Sequence, residues 1–432
     1  MTAPVMAGTP GPVGPDGMLR ADVLGAVSWR TPITMAALTV VTFFAFVLFT
    51  PSTAIAQFAF TEPDGSWQWP TWHAPAQLVL VICVLLAAAL TALAFQAAAA
   101  RKPRRWYLVA FGALMLVMFL VWVMSASTGT LRIPFLLGMT MTWAVPLVFG
   151  AFAGVLCERA GVINIAIEGQ LLGGAFLCAI AASLTGNAYV GLIAAPIAGA
   201  LVGLILAAFA ITYKVDQIIV GVVVNVLVLG LTNYLFSTVL SENPQAYNSP
   251  PPLPTWRIPV LADIPVIGSA LFNQTVIVYA MYVAVFVLQY MLFRSRWGLR
   301  LRSVGEHPRA ADTVGIKVNR TRYRAVVLGG AVAGFGGASF LAAGLAFTKE
   351  VSAGRGYIAL AAMILGRWSP KGALAAAVLF GFTDALNRVL RNIGSPVDYE
   401  LMSMLPYLAT IFAVAGLVGR VRPPAASGKP YP

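Results

Sequence analysis

Apolar residues in this chain fall in long unbroken runs separated by short polar or charged breaks, a pattern set by a bilayer rather than by one face of a soluble helix or strand. The runs predict helices over 32–50, 74–99, 106–128, 135–156, 169–184, 190–213, 217–240, 274–293, 325–347, 357–368, 372–391 and 401–419. Most approach or exceed the roughly 17–25 residues a crossing needs. The run 357–368 is too short to span. It predicts a half-helix or re-entrant piece, a form tolerated only where protein or water surrounds its open backbone groups. The fold expected is all-α and polytopic, with about 11–12 membrane segments counting the short one.

Composition agrees with that pattern. Hydrophobic residues make up 59% of the 432 and charged residues 10%, with mean hydropathy +0.84. Soluble domains carry about 25% charged residues to cover their surface. Residues 1–31, dominated by Thr, Pro and Gly, predict a disordered tail.

The net charge of +13 changes the picture only through its placement. Lys and Arg sit between apolar runs and build no basic face with interleaved aromatics, so nucleic acid is not the expected partner. They act instead as a topology signal. Loop 51–73 carries Glu62 and Asp64 and no Lys or Arg, so it is expected outside. Arg101-Lys102-Pro103-Arg104-Arg105 is expected in the cytoplasm. So is 294–324, with Arg294, Arg296, Arg300, Arg302, Arg309, Lys317, Arg320, Arg322 and Arg324 against Glu306 and Asp312. Threading from these anchors puts both termini inside. The basic residues left outside are Arg132, Arg257, Lys349, Arg355, Arg388 and Arg391, mostly in the last third, where the topology is least constrained. The proline-rich loop 241–273 becomes a stiff external cap. Tryptophans and tyrosines at run edges, such as Trp67, Trp69, Trp106 and Tyr107, suit interfacial anchoring.

Little in the chain suggests catalysis. His73 and His307 fall in loops on opposite sides of the expected membrane, and Cys83, Cys157 and Cys178 match no zinc or disulfide spacing. No phosphate cradle is present; Ala426-Ser427-Gly428-Lys429 is a fragment in a polar tail. No metal or other cofactor is implied, and an ATPase driving this chain would be a separate subunit.

Three stretches carry more information. In Glu158–Gln170, two carboxylates, Arg159, Asn164, Gln170 and two glycines interrupt an apolar region. Charges beside a bilayer core usually pair or face a cavity. Two readings stand: a broken helix lining a pathway, with Asn164 and Gln170 bonding a polar solute, or a turn whose Glu158 and Arg159 cap helix ends. In Gly298–Ile316, Pro308 opens a short helix stopped by Gly315, suited to docking a cytoplasmic partner or simply to a solvated basic loop. The third is glycine-rich, with Gly329, Gly330, Gly334, Gly336, Gly337 and Gly344 spaced for close helix packing, followed by Gly354-Arg355-Gly356-Tyr357.

At these residues the chain resembles a known family. Glu158–Gln170, Asp216-Gln217-Ile218-Ile219-Val220-Gly221, Trp297–Ile316 and Gly354–Trp368 resemble the ribose and branched-chain amino acid permeases of bacterial ABC importers, closest to their nucleoside subgroup. The resemblance covers 131–420. It leaves 32–130 as extra N-terminal helices and 421–432 as a cytoplasmic tail. It implies the ABC importer transmembrane-domain fold in a bacterial plasma membrane. The partners implied are a cytoplasmic ATPase, a second and sister permease, and an extracytoplasmic substrate-binding lipoprotein. The family's ATPase-coupling loop maps to Arg300, Arg302, Glu306, Arg309, Ala310, Ala311 and Gly315. Asn164, Glu168, Gln170, Asn225 and Asn233 are pathway candidates, because amides suit the neutral edges of a nucleobase or ribose. Buried amides serve equally as interhelical bonds of about 0.6–2 kcal/mol. A sugar or branched-chain amino acid permease is excluded only by the subgroup resemblance. The alternative of another class is an ion-coupled secondary transporter, which a dozen helices would suit but for which intramembrane carboxylates are sparse and no clear inverted repeat is visible. The near absence of histidine and of loop carboxylate clusters speaks against a membrane-embedded enzyme.

Overall fold

A computed structural model of the chain describes residues 29–62, 68–101, 106–394, 400, 404 and 422–431. Ten helices among the described residues are long and apolar enough to cross a membrane. They are α1 (Arg30–Val47), α2 (Ala76–Ala99), α3 (Trp106–Ser125), α4 (Ile133–Arg159), α5 (Ile167–Thr185), α6 (Ala188–Thr212), α7 (Gln217–Leu240), α8 (Val276–Arg294), α11 (Val318–Leu341) and α13 (Pro370–Asn392). Between them lie α9 (Arg296–Glu306), α10 (Pro308–Thr313) and the short apolar α12 (Arg355–Leu365). The chain is thus mainly helical, with the short piece where the sequence predicts it. Most of the expected N-terminal tail and of the expected helix 401–419 lies outside the described residues, as does most of the basic break 101–105. Short antiparallel strands occur outside the helices, β1 (Ile55–Ala59) with β2 (Trp72–Pro75) and β3 (Thr255–Arg257) with β4 (Asn273–Thr275).

The chain divides into two compact units, Met1–Phe58 with Trp72–Thr130, and Ala59–Thr71 with Leu131–Pro432. In the first, α2 packs on α1 and α3 around Met35, Ala87, Ala94 and Phe111. The Thr39 and Thr91 hydroxyls meet across α1 and α2 at 3.5 Å. Outward positions such as Leu85 and Val109 stay apolar and exposed, as contact with lipid requires.

In the second unit α4 is the central helix. Every residue from Ala144 to Glu158 is buried, and a helix apolar on all sides belongs in a core. Helices α5, α11, α12 and α13 pack against it. The glycine-rich stretch is a packing surface: a Cβ on Gly199 of α6 would lie 2.1 Å from the Gly330 carbonyl of α11. Four of these helix starts are capped by the side chain of the residue just before them. Asn187 accepts from the Tyr189 amide, Asp216 from Ile218 and Ile219, Ser295 from Gly298, and Ser369 from Gly372. The starts of α5 and α12 instead take side-chain partners from other helices.

Candidate functional site: a broken helix and a half-helix

Helix α4 ends at Arg159, and the chain turns at Gly161, whose φ of +89° favours glycine. The chain then runs back alongside α4 without helical structure until Ile167. A Cβ on Gly150 would touch Ile167 at 3.0 Å, so α5 begins level with Gly150. That is nine residues, about 13 Å, up α4 from Arg159. The same climb registers on α7: the Ile163 amide donates to the Gln217 side-chain carbonyl at 2.7 Å, and the Gly169 amide to Asn225 Oδ1 at 2.8 Å. Asn225 Nδ2 in turn donates to the Ile165 carbonyl at 2.9 Å. Non-helical backbone within a membrane-spanning bundle needs such partners, because lipid supplies none. Gly221 is small because Ile165 lies where its Cβ would be, 2.8 Å away.

The half-helix α12 docks on this segment at both ends. At its start, Glu168 Oε1 accepts from the Ser352 hydroxyl (2.6 Å) and the Gly354 amide (2.8 Å), and Oε2 accepts from the Gly356 amide (2.6 Å). A carboxylate at a helix N-terminus satisfies orphan amides and opposes the helix dipole. Gly356 has no room for a side chain; a Cβ would sit 2.4 Å from the Glu168 amide nitrogen. Beyond its far end, the Trp368 indole donates to Glu158 Oε2 at 2.5 Å, and Arg159 Nε donates to the Trp368 carbonyl at 2.9 Å. The motif Glu158–Gln170 and the motif Gly354–Trp368 are therefore two halves of one joint, with the Asp216–Gly221 motif at its side.

The Arg159 end of this joint meets the basic loop. Helix α9 buries Gly298, Leu301, Val304 and Gly305 on one face. A Cβ on Gly305 would lie 2.1 Å from the Arg159 carbonyl. Arg300, Arg309 and Ala310 are on the outer surface, while Ala311 packs inward with Val304 and Val318. Arg302 is half-buried, its guanidinium 5.0 Å from the Phe293 ring centroid. Gly315, at φ +83°, lies just beyond α10. Residues 422–431 lie across the same place. The Ala425 amide donates to Glu306, the Ala426 amide to the Gly305 carbonyl, and the buried Arg322 to the Lys429 carbonyl. Hydrogen bonding to Asp312 holds the Tyr431 phenol above its ordinary range. The polar tail read from the sequence is thus seated on the basic loop.

Toward the Ile133 end of α4, a cavity of about 440 Å³ opens between α4 and the β3–β4 region. Trp143 lines it. The Trp143 ring also lies over the guanidinium groups of Arg355 (4.8 Å) and Arg388 (3.8 Å), and Arg355 Nε is 3.7 Å from Asp384 Oδ2.

The pathway candidates divide. Asn164 and Gln170 exchange hydrogen bonds (3.0 and 3.3 Å) and are fully buried, so each satisfies the other. Glu168 and Asn225 tie backbone together, as described. Asn233 stands apart, with a buried Oδ1 that has no partner among the described residues. Sequence reasoning did not single out Gln217 or Trp143. Gln217 stood inside a quoted motif, directly after the capping Asp216. Trp143 lay within an apolar run and not at its edge, which was the available signal.

Residues 136–414 match the family described as branched-chain amino acid transport system / permease component. The guanosine ABC transporter permease protein NupQ of Bacillus subtilis (strain 168) is 38% identical over 68% of this chain and 94% of its own length. The nucleoside ABC transporter permease protein NupC of Lactococcus lactis subsp. cremoris (strain MG1363) is 34% identical over 67% and 94%. A second guanosine permease of the same Bacillus strain, NupP, is 27% identical over 66% and 84%. No solved structure matches significantly. The chain belongs to the branched-chain amino acid transport system / permease component family, as a multi-pass plasma-membrane subunit of an ABC importer, itself not an enzyme, that works with a separate ATPase and a substrate-binding protein.

Proposed function

We propose that this chain is the nucleoside-conducting permease of its importer. In this reading it is paired with a sister permease and fed by an extracytoplasmic lipoprotein. Helices α9 and α10 and both termini face the cytoplasm, and the Ile133 end of α4 faces outside. The observation that carries the reading is the unbroken contact from Gly305 through Arg159 and the 160–169 segment to the start of α12. A motor pressing on α9 meets rigid hydrogen-bonded parts all the way into the bundle, which alternating access requires. Arg300, Arg302, Glu306, Arg309, Ala310, Ala311 and Gly315 form the ATPase-facing loop. The two guanosine relatives from one strain favour a sister over a second copy. The nucleoside assignment rests on the relatives' names.

The test reverses charge at Arg302, Glu306 and Arg309 together. Membrane insertion is expected to persist, while uptake of labelled guanosine falls at least tenfold and the ATPase no longer co-purifies in mild detergent. Undiminished uptake would remove the coupling role.

A further inference from the structure

The cavity at the Ile133 end of α4 has no assigned role. Its volume of about 440 Å³ falls in the roughly 300–1,000 Å³ range of small-molecule sites. Phe135 and Met139 give it an apolar wall, and Thr142, Ser269, Asn273 and Gln274 bring hydroxyl and amide groups. Gln274 is fixed: it is buried, and its Nε2 donates to the Ala270 carbonyl at 2.8 Å. The lining charges are one of each sign, Glu62 and Arg257, so no excess of cations selects a phosphate. An apolar wall, several neutral hydrogen-bonding groups and balanced charge fit a flat, uncharged, polar solute. Trp143 lies sixteen residues, about 24 Å, up α4 from Arg159. Its ring contacts Arg355, the first residue of α12.

We propose that this cavity is the permease's solute-receiving site, taking an uncharged nucleoside, and that Trp143 is the contact through which an occupied cavity acts on the half-helix. The proposal rests on the nucleoside reading above. A solute in the cavity bears on Trp143, which shares its ring with Arg355 and Arg388. Arg355 is held in turn by Asp384 of α13. Movement of α12 by the ATPase then shifts Arg355 and, through it, the Trp143 ring that lines the cavity. Gln274 binds solute, whereas Trp143 positions α12.

The test uses the assembled transporter with its ATPase and receptor. A Thr142→Cys variant is labelled with a membrane-impermeant maleimide; the chain's own described cysteines are all buried. Millimolar guanosine is expected to slow labelling at least threefold, and glucose is expected not to. In uptake, Gln274→Leu is expected to cost at least tenfold and Trp143→Ala more, with partial rescue by Trp143→Phe and with ATPase co-purification unchanged. If the wild type takes up guanosine but labelling is insensitive to it and Gln274→Leu transports normally, the cavity is not the site and the nucleoside reading survives. If Thr142→Cys is not labelled from outside, the cavity is not an external entrance. If the wild type takes up no nucleoside, both proposals fall.

Discussion

Asp216 and Glu168 are both carboxylates that accept backbone amides at the start of a helix, and the difference between them separates two kinds of region in this protein. Asp216 caps its own helix, taking the Ile218 and Ile219 amides at 2.9 and 3.1 Å. Glu168 sits in the first turn of α5 and caps α12, more than 180 residues later, with a serine hydroxyl as third donor. The start of α5 is in turn capped by Asn225 of α7. A self-capped helix can form and move by itself. A helix capped by its neighbour is fixed in register with that neighbour, as α5 is with α7 and α12 with α5, whereas α6, α7, α9 and α13 each have their own start closed by the residue before it. The joint is also where three separate sequence motifs meet.

That comparison can be broken or sharpened by substitution. Glu168→Ala has the largest expected effect. It leaves two backbone amides unpaired inside the protein, at about 1–3 kcal/mol each, and frees the start of α12. Uptake in the assembled transporter should drop about a hundredfold, and the melting temperature of the detergent-purified complex should fall; normal uptake would mean that α12 is held by something other than this cap. Asn225→Leu should cost about tenfold in uptake, since it removes interhelical bonds of about 0.6–2 kcal/mol each but keeps the Glu168 clamp. Asp216→Ala should cost least, about 1 kcal/mol in thermal denaturation, with uptake changed less than twofold. An Asp216 variant as damaged as the Glu168 one would erase the distinction between local and borrowed caps.

The topology signal teaches a related lesson. Arg257, Arg355 and Arg388 were among the basic residues that a cytoplasmic-charge rule could not explain. Arg257 pairs with Asp263, and Arg355 and Arg388 lie over Trp143 beside Asp384. An arginine engaged by an aromatic face or a carboxylate has a local structural role, and its position then need not follow the cytoplasmic bias of free loop charges.

The sequence alone determined the number and approximate placement of the described spans, the short α12 between longer neighbours, and the α10 helix stopped by Gly315. These follow from run length and from glycine and proline chemistry, which are local. Helix α11 begins seven residues before the expected 325, so Arg320, Arg322 and Arg324 lie in it and not in the loop. The sequence also marked the regions that matter, because polar residues inside apolar runs are costly wherever they occur. What each polar residue does was decided only by tertiary structure. In the sequence Asn164 and Gln170 are two separate amides, and only the fold bonds them to each other; Glu168 is a lone charge, and only the fold brings the Gly354 and Gly356 amides to its carboxylate. The seat of residues 422–431 on α9 had no periodicity to announce it. Hydrogen-bond partners far apart in sequence leave no trace in local pattern; only packing that brings their helices together chooses among the partners each side chain could take.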